Sequence, residues 1–188
     1  EKIKFLCPAP GYNRHFAVTE VFGVEMITVP MKKDGPDMDM IEALVAEDES
    51  IKGMWNIPMY SNPTGITYSE EIVRRLAYMK TKAPDFRIIW DNAYALHHLY
   101  DTPDKLADII SLCREAGNPD RVYMFSSTSK VTFPGAGVAF IASSRANIDH
   151  LKKLISKQTI GYNKINMLLH VRFLKNADNV REHMRKHA

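Results

Sequence analysis

The chain has 188 residues, which is enough for one domain with a sizeable core. Its hydrophobic content of 45%, its charged content of 25% and its small net charge of +3 are typical of a globular protein. The interspersed charges argue against nucleic acid as a partner, because a nucleic-acid-binding protein usually gathers basic residues on one face. No apolar stretch approaches the roughly 20 residues of a membrane-spanning helix, so we expect no membrane partner either.

The two cysteines, Cys7 and Cys113, are far apart and form no CxxC pattern. This spacing indicates neither a disulfide framework nor a metal site, and a reducing cytoplasmic location is the expectation. No signal peptide is visible. The chain begins "EKIKFLCPAP", without methionine and already within an apolar stretch, so we expect it to be a fragment of a longer protein.

Apolar runs typical of strands alternate along the chain with segments of helical periodicity. In chain order the predicted elements are strand 3–7, helix 14–23, strand 25–30, helix 37–48, strand 51–58, helix 69–82, strand 86–91, helix 104–117, strands 121–127 and 137–143, and helices 147–158 and 165–177. Asp37 and Ser69 are expected helix caps, and Gly23 and Gly117 are expected helix ends. The alternation predicts an α/β fold, and continuous apolar strands favour a three-layer α/β/α architecture with a mostly parallel sheet.

Polar residues follow three of the predicted strands at the point where each strand ends. "MYSNPTG" follows "MWNIP", "DNAY" follows "RIIW", and "SSTSK" follows "VYMF". Because ligands gather beyond the carboxyl ends of parallel strands, these tails predict a binding site at one edge of the sheet. The residues that such a site would bring together are Asn62, Asp91, Tyr94, Ser127, Ser129 and Lys130.

The chemistry of this set points to one cofactor. Taken alone, Lys130 would be a solvated loop lysine, but a lysine amine can also form a Schiff base with a carbonyl group. A carboxylate can hold a protonated ring nitrogen, an asparagine and a tyrosine can hydrogen-bond a phenolate oxygen, and serine hydroxyls can bind phosphate. Aldehyde, pyridine nitrogen, phenolic oxygen and phosphate are the functional groups of pyridoxal 5'-phosphate (PLP), which acts as an electron sink.

The ordered motifs Asn-Pro-x-Gly, Asp-x-x-Tyr and Ser-x-Ser-Lys resemble those of the class I/II aminotransferases, within the fold type I family of PLP-dependent enzymes. The fuller phrases "CPAPGYNRHF", "YSNPTG", "WDNAYALHH" and "STSKVTFPGAGVAF" are similar to a bacterial aspartate aminotransferase-like subgroup. The resemblance implies that residues 1–188 are the large PLP-binding domain, with an N-terminal segment and a C-terminal small domain outside the chain. It also implies a homodimer of the full-length enzyme.

The resemblance implies a role for each matched residue. Lys130 would form the Schiff base with the cofactor and then carry the proton between the substrate α-carbon and the cofactor. Asp91 would pair with the pyridine nitrogen, and Asn62 and Tyr94 would bond the phenolic oxygen. Tyr12 matches the aromatic residue that stacks on the cofactor ring.

The phosphate site is the one departure from the family pattern. The resemblance implies that Ser127, with Ser129 as a further candidate, contacts the phosphate. Many relatives place an arginine eight residues after the lysine, where this chain has Val138. Either a clamp comes from elsewhere, or Gly135 and Gly137 let backbone amides approach the phosphate; both readings stay open.

Residues beside the motifs carry further expectations. The Asn62–Pro63 peptide is expected to be cis, as related enzymes suggest. We interpret His97 and His98 as structural histidines, with support of the strand-end carboxylate by one of them as the alternative. His15 and the preceding arginine are candidates for contact with a dicarboxylate side chain, and Asn166 is expected on a solvated helix face or, alternatively, near the substrate or a neighbouring subunit.

The implied function is a PLP-dependent aminotransferase that moves an amino group from aspartate or a similar amino acid to a 2-oxo acid. One alternative is another fold type I enzyme, such as a β-lyase, decarboxylase or racemase, because these share the same asparagine, aspartate, tyrosine and lysine set. A second alternative is a non-catalytic aminotransferase-like sensing domain of a regulator. A Rossmann-type nucleotide-binding protein is disfavoured, since no GxGxxG motif follows a predicted strand.

Overall fold

The structure is a computed structural model that describes residues 2–188, and its seven strands form one sheet. The strands are β1 (Lys4–Ala9), β2 (Glu25–Lys32), β3 (Gly35–Pro36), β4 (Ile51–Asn56), β5 (Arg87–Asp91), β6 (Val122–Ser127) and β7 (Ala139–Ala142). Their order is β3-β2-β1-β4-β5-β6-β7. The five central strands are parallel, and β3 and β7 run antiparallel at the two edges. The predicted mostly parallel sheet is therefore confirmed.

Seven helices within residues 2–188 connect or follow these strands. They are α1 (Asn13–Val21), α2 (Met38–Glu47), α3 (Glu70–Tyr78), α4 (Ile109–Glu115), α5 (Arg145–Gln158), α6 (Lys164–Leu174) and α7 (Ala177–His187). Both predicted caps are confirmed, because the side chains of Asp37 and Ser69 accept hydrogen bonds from backbone N–H groups of the first turns of α2 and α3. In the part of the chain that the structure describes, no helix combines the length and the apolar character needed to cross a membrane.

Two predicted helix boundaries were wrong for local reasons. The predicted helix 104–117 begins only at Ile109, because the Asp108 carboxylate caps it by accepting from two backbone N–H groups of its first turn. The predicted helix 165–177 ends at Leu174. Lys175 then has a φ of 59°, and the Asn176 side chain caps a separate helix, α7. Apolar periodicity alone does not report such a break.

The main core lies on one face of the sheet. Its central row consists of in-register side chains from four neighbouring strands, all of them buried: Leu6, Met54, Ile88 and Val122. Helices α2, α3 and α4 cover this row with side chains that include Ile41, Leu76 and Ile109. Each fully buried aliphatic side chain of this kind stabilises the fold by about 1.5–3 kcal/mol.

Helix α1 packs on the opposite face. Trp55 follows Met54 on β4 and therefore points to the other side of the sheet. The His15 ring stacks on the Trp55 ring, with centroids 4.3 Å apart and planes 14° apart. The Trp55 indole N–H donates to Thr19 Oγ1 at 2.8 Å. Helices on both faces give the predicted three-layer α/β/α arrangement.

Arg121 ties the start of β6 to the end of α3. The guanidinium is buried, and its Nη1 donates to the carbonyl oxygens of Leu76, Ala77 and Met79 at 3.5, 3.1 and 2.7 Å. These carbonyls belong to the last turn of a helix, where no intrahelical partner exists and where the helix dipole favours a cation. Burial lowers the pKa of Arg121.

We expect Arg121→Met to lower the free energy of unfolding by about 2–4 kcal/mol, because it removes the donor of the Leu76 and Met79 carbonyl oxygens, while Ala77 keeps its bond from Asn118 Nδ2. Urea denaturation of the purified protein measures the change. Arg114→Met, on the exposed side of α4, is the matched control and should change stability by less than about 0.5 kcal/mol. Equal losses in both variants would show that Arg121 has no special structural role.

Candidate active site

The predicted site residues lie at one edge of the sheet. Asn56, Asp91 and Ser127 end three adjacent parallel strands, β4, β5 and β6, so the polar tails after these strands start side by side. The tails of β5 and β6 are also joined directly, because the Ser126 hydroxyl donates to the Asn92 carbonyl oxygen at 3.1 Å. The prediction that the three tails meet at one edge is confirmed.

Asp91 has a histidine partner that the sequence reasoning missed. His15 Nε2 lies 3.0 Å from Asp91 Oδ2, and His15 is only 9% exposed. An ionised carboxylate only accepts hydrogen bonds, so the imidazole N–H donates. Tyr12, the residue that caps α1, lies edge-on to the His15 ring with centroids 5.4 Å apart. Helix α1 thus brings Tyr12 and Asp91 together through His15.

The alternative interpretation, in which His97 or His98 supports Asp91, was wrong. Neither His97 nor His98 bonds Asp91: His97 contacts the Lys130 carbonyl oxygen, and His98 Nδ1 lies 2.8 Å from the Tyr60 hydroxyl. The partners His15 and Asp91 are separated by 76 positions in the chain, so no local pattern joins them. The available signal was the position of His15 in the first turn of a helix that starts just past β1, at the same edge of the sheet.

Lys130 lies against Tyr94. The Lys130 Nζ atom is 5.3 Å from the centroid of the Tyr94 ring, within the range of a cation–π contact. Lys130 is exposed, and its backbone carbonyl oxygen lies 3.1 Å from His97 Nε2. The His97 ring in turn packs edge-on against Tyr94, with centroids 5.4 Å apart. The predicted tyrosine and lysine are therefore neighbours.

The segment around the predicted phosphate ligands is tightly folded. The Ser129 N–H donates to Ser127 Oγ at 3.3 Å. Only glycine fits at Gly137, because a Cβ there would clash with the Ser129 side chain and backbone. Val138 stands at the position of the family arginine, and its backbone closes the loop. The Val138 carbonyl oxygen accepts from the Thr128 N–H at 2.9 Å, and the Val138 N–H donates to Thr128 Oγ1 at 2.8 Å.

Asn62 lies in a turn after β4. The Asn62–Pro63 peptide is cis, as predicted. The turn is closed by a hydrogen bond of 2.6 Å from the Gly65 N–H to the Ser61 carbonyl oxygen, with Gly65 at a φ of 73°. Within residues 2–188, Asn62 makes no hydrogen bond to the other predicted site residues.

The chemistry of the edge fits the functional groups of PLP. Four polar groups there have no hydrogen-bond partner among residues 2–188: Asp91 Oδ1, the Asn62 amide, the Tyr94 hydroxyl and the Lys130 ammonium group. They supply a carboxylate, an amide, a phenol and an amine, which are the groups that a pyridine nitrogen, a phenolate oxygen and an aldehyde require. The serine hydroxyls of the Ser127–Lys130 segment complete the donor set.

The whole chain, residues 1–188, matches the family model described as "Aspartate amino-transferase". The chain belongs to this aminotransferase family. An aspartate aminotransferase of Corynebacterium glutamicum is 51% identical over 188 residues, which are 100% of this chain and 43% of that protein. The chain thus spans less than half the length of this relative.

Solved structures of aminotransferases show the same fold. The crystal structure of an aspartate transaminase from Corynebacterium glutamicum superposes with a TM-score of 0.96 at 51% identity, over 100% of this chain and 44% of that one. An α-aminoadipate aminotransferase from Thermus thermophilus, complexed with N-(5'-phosphopyridoxyl)-L-leucine, gives a TM-score of 0.82 at 27% identity. The match covers 99% of this chain and 47% of that one. The predicted family and fold are therefore confirmed.

The stability of this edge should depend on the charge of His97. Burial lowers the pKa of His97, and its Nδ1 atom is buried without a partner in the described residues. The His97 imidazole is therefore protonated at a higher pH in the unfolded chain than in the folded protein. As the pH falls below the unfolded pKa of about 6.5, His97 thus lowers the free energy of unfolding. We expect the free energy of unfolding of the wild type to fall relative to that of His97→Gln between about pH 7 and pH 5.

Denaturation at a series of pH values measures this difference. His150→Gln, on the exposed surface of α5, is the control and should follow the wild type at every pH. Parallel curves for the wild type and His97→Gln would contradict the expectation.

Proposed function

We propose that this chain is the large cofactor-binding domain, residues 1–188, of a longer PLP-dependent aminotransferase. The observation that carries the proposal is the pairing of Asp91 with His15 and of Lys130 with Tyr94 at one sheet edge, in a chain of the aspartate aminotransferase family. The phosphopyridoxyl ligand of the Thermus relative supports the cofactor. The length of the relatives supports an N-terminal segment and a C-terminal small domain outside residues 1–188.

Each site residue has a chemical task in this proposal. PLP, when bound, supplies an electron sink for the negative charge that develops at the substrate α-carbon. The Asp91 carboxylate, held by His15, favours a protonated ring nitrogen, because an opposite charge stabilises the protonated form. Lys130 would hold the cofactor through its amine, and it would accept and return the proton of the substrate α-carbon.

The remaining predicted residues orient the cofactor. Asn62 and Tyr94 would donate hydrogen bonds to its phenolic oxygen, and Tyr12 would stack on its ring. Ser127 and Ser129 would bind the phosphate. Since Val138 stands at the position of the family arginine, we propose that this chain supplies no arginine to the phosphate from that position.

The substrates that we propose are aspartate or a similar amino acid and a 2-oxo acid. The name of the Corynebacterium relative supports this choice. In the proposed reaction the first amino acid loses its amino group and leaves as a 2-oxo acid, and a second 2-oxo acid receives that amino group. We further propose that the full-length enzyme is a cytoplasmic homodimer.

The first test uses the full-length protein with PLP. We expect an absorbance band of lysine-bound cofactor that changes on addition of aspartate, and borohydride reduction followed by peptide mass mapping should locate the cofactor on Lys130. Oxo-acid formation without release of ammonia or carbon dioxide would support transamination over a lyase or a decarboxylase. Cofactor binding without any turnover would favour a sensing domain, and absence of the band would overturn the cofactor assignment.

Lys130→Ala should abolish both the reducible adduct and transamination, because no other group at the edge can form the covalent bond and move the proton. A loss of about 10⁴-fold or more in kcat is expected for the removal of a residue with both tasks. Lys105→Ala, an exposed lysine outside the site, is the control and should retain activity. Appreciable activity of Lys130→Ala would remove this residue from the proposed mechanism.

His15→Phe should weaken PLP binding by about tenfold or more, because a charge-assisted hydrogen bond to Asp91 is lost while an aromatic ring remains on Trp55. Equilibrium titration of the cofactor-free protein measures the affinity. His15→Gln keeps an N–H donor and should bind PLP better than His15→Phe. Equal affinities of the wild type and His15→Phe would show that the hydrogen bond does not act on the cofactor.

A further inference from the structure

The segment that carries Lys130 is neither strand nor helix. We call residues 128–132 the lysine loop. Within it, the N–H groups of Val131 and Thr132 donate to the Thr128 carbonyl oxygen at 2.9 and 2.8 Å, and the Thr132 hydroxyl donates to the same oxygen at 3.1 Å. These bonds curl the backbone around Lys130. The loop is also joined to its surroundings at Thr128, which bonds the Val138 backbone, and at the Lys130 carbonyl oxygen, which lies 3.1 Å from His97 Nε2.

A histidine of α6 bridges the two ends of the lysine loop. His170 Nε2 lies 2.9 Å from Thr128 Oγ1 and 2.8 Å from Thr132 Oγ1. Its other ring nitrogen, Nδ1, lies 2.9 Å from the Asn166 carbonyl oxygen on the preceding turn of the helix. The two threonines flank Lys130 at two positions on either side, so one imidazole fixes both sides of the lysine.

The directions of these hydrogen bonds are consistent with one neutral tautomer. The Asn166 carbonyl only accepts, so His170 Nδ1 donates, and in the neutral ring Nε2 then accepts. Thr128 Oγ1 accepts from the Val138 N–H at 2.8 Å, and the Thr128 hydroxyl hydrogen can donate to Nε2 at the same time. The Thr132 hydroxyl is shared between His170 and the Thr128 carbonyl oxygen.

Two further contacts hold the neighbouring backbone. Asn166, one turn before His170 on α6, donates from Nδ2 to the Ala136 carbonyl oxygen at 2.6 Å. The expectation of a solvated position for Asn166 is therefore wrong. His183 Nε2 of α7 lies 2.7 Å from the Val131 carbonyl oxygen. Helix α6 thus bonds the segment 128–136 at both ends, and α7 bonds its middle.

Core packing does not account for these contacts. None of the α6 residues is buried, and apolar side chains such as Ile165, Leu169 and Phe173 are more than half exposed. The helix meets the lysine loop through polar atoms of His170 and Asn166. Helix α6 contributes no residue to the apolar core.

We propose that His170 is a positioning residue that holds the lysine loop so that the Lys130 amine points to the reacting carbon. The inference rests on the proposed function. Loss of His170 removes the side-chain bridge between Thr128 and Thr132, while the bonds of Thr128 to Val138 remain, and a misplacement of about 1 Å can cost on the order of 100-fold in rate. Because His170 acts on the lysine loop and not on the substrate, kcat should fall while KM stays nearly constant.

The test compares His170→Phe with the wild type in the full-length protein. In the cofactor-free form, amide hydrogen exchange should accelerate about tenfold or more in residues 128–138 and stay unchanged in β4 and β5. In the PLP-loaded form, kcat should fall about tenfold or more, KM should change less than about twofold, and the borohydride adduct should remain on Lys130. His170→Gln, which can still bond the two hydroxyls, should partly restore kcat and the protection.

If His170→Phe fails to fold, Thr132→Val is a second variant, because it removes one of the two hydroxyl partners of His170. We expect it to accelerate exchange in the same segment. His150→Phe on the exposed surface of α5 is the matched control and should match the wild type. Unchanged exchange and unchanged kcat, or faster exchange spread over the whole sheet, would overturn the positioning role alone. A wild type without a Lys130 adduct or turnover would overturn the proposed function and this inference with it.

Discussion

Parallel pairing of β4, β5 and β6 is the constraint on which the site depends. Each of these strands enters the sheet from the same side and leaves it at the same edge, so three tails that lie far apart in sequence each start about 5 Å from the next one. The apolar row Met54, Ile88 and Val122 holds this register, because a slip by one residue would turn every buried side chain toward the other face. The hydrophobic core thereby fixes the origin of each polar tail.

The tails themselves are held by polar contacts from outside the sheet. Helix α1 places the His15 ring on Trp55, and the His15 N–H donates to Asp91. A ring contact on the second face of the sheet therefore orients the carboxylate. Helices α6 and α7 hold the lysine loop through His170 and His183. Imidazole suits this task because its two nitrogens can bond groups on two elements at once.

Much of the fold and the membership of the site could be read from local sequence. Apolar strands alternating with amphipathic segments predict the α/β class, and polar residues directly after the strands predict the edge. The caps at Asp37 and Ser69 could be predicted because short polar side chains accept hydrogen bonds from the backbone N–H groups of a first helical turn. Helix boundaries were less predictable, since the breaks at Asp108 and Asn176 depend on whether a side chain turns back onto its own backbone.

The sequence by itself determined the class of the fold, the family and the chemical types gathered at the edge, because periodicity, caps and ordered motifs are local properties of the chain. Only the tertiary structure decided which side chains support those groups. His15 and Asp91 are 76 positions apart, and Thr128 and His170 are 42 positions apart. Such pairs are set by how helices cross the sheet and by the stacking of His15 on Trp55, which are properties of packing that no short stretch of sequence records.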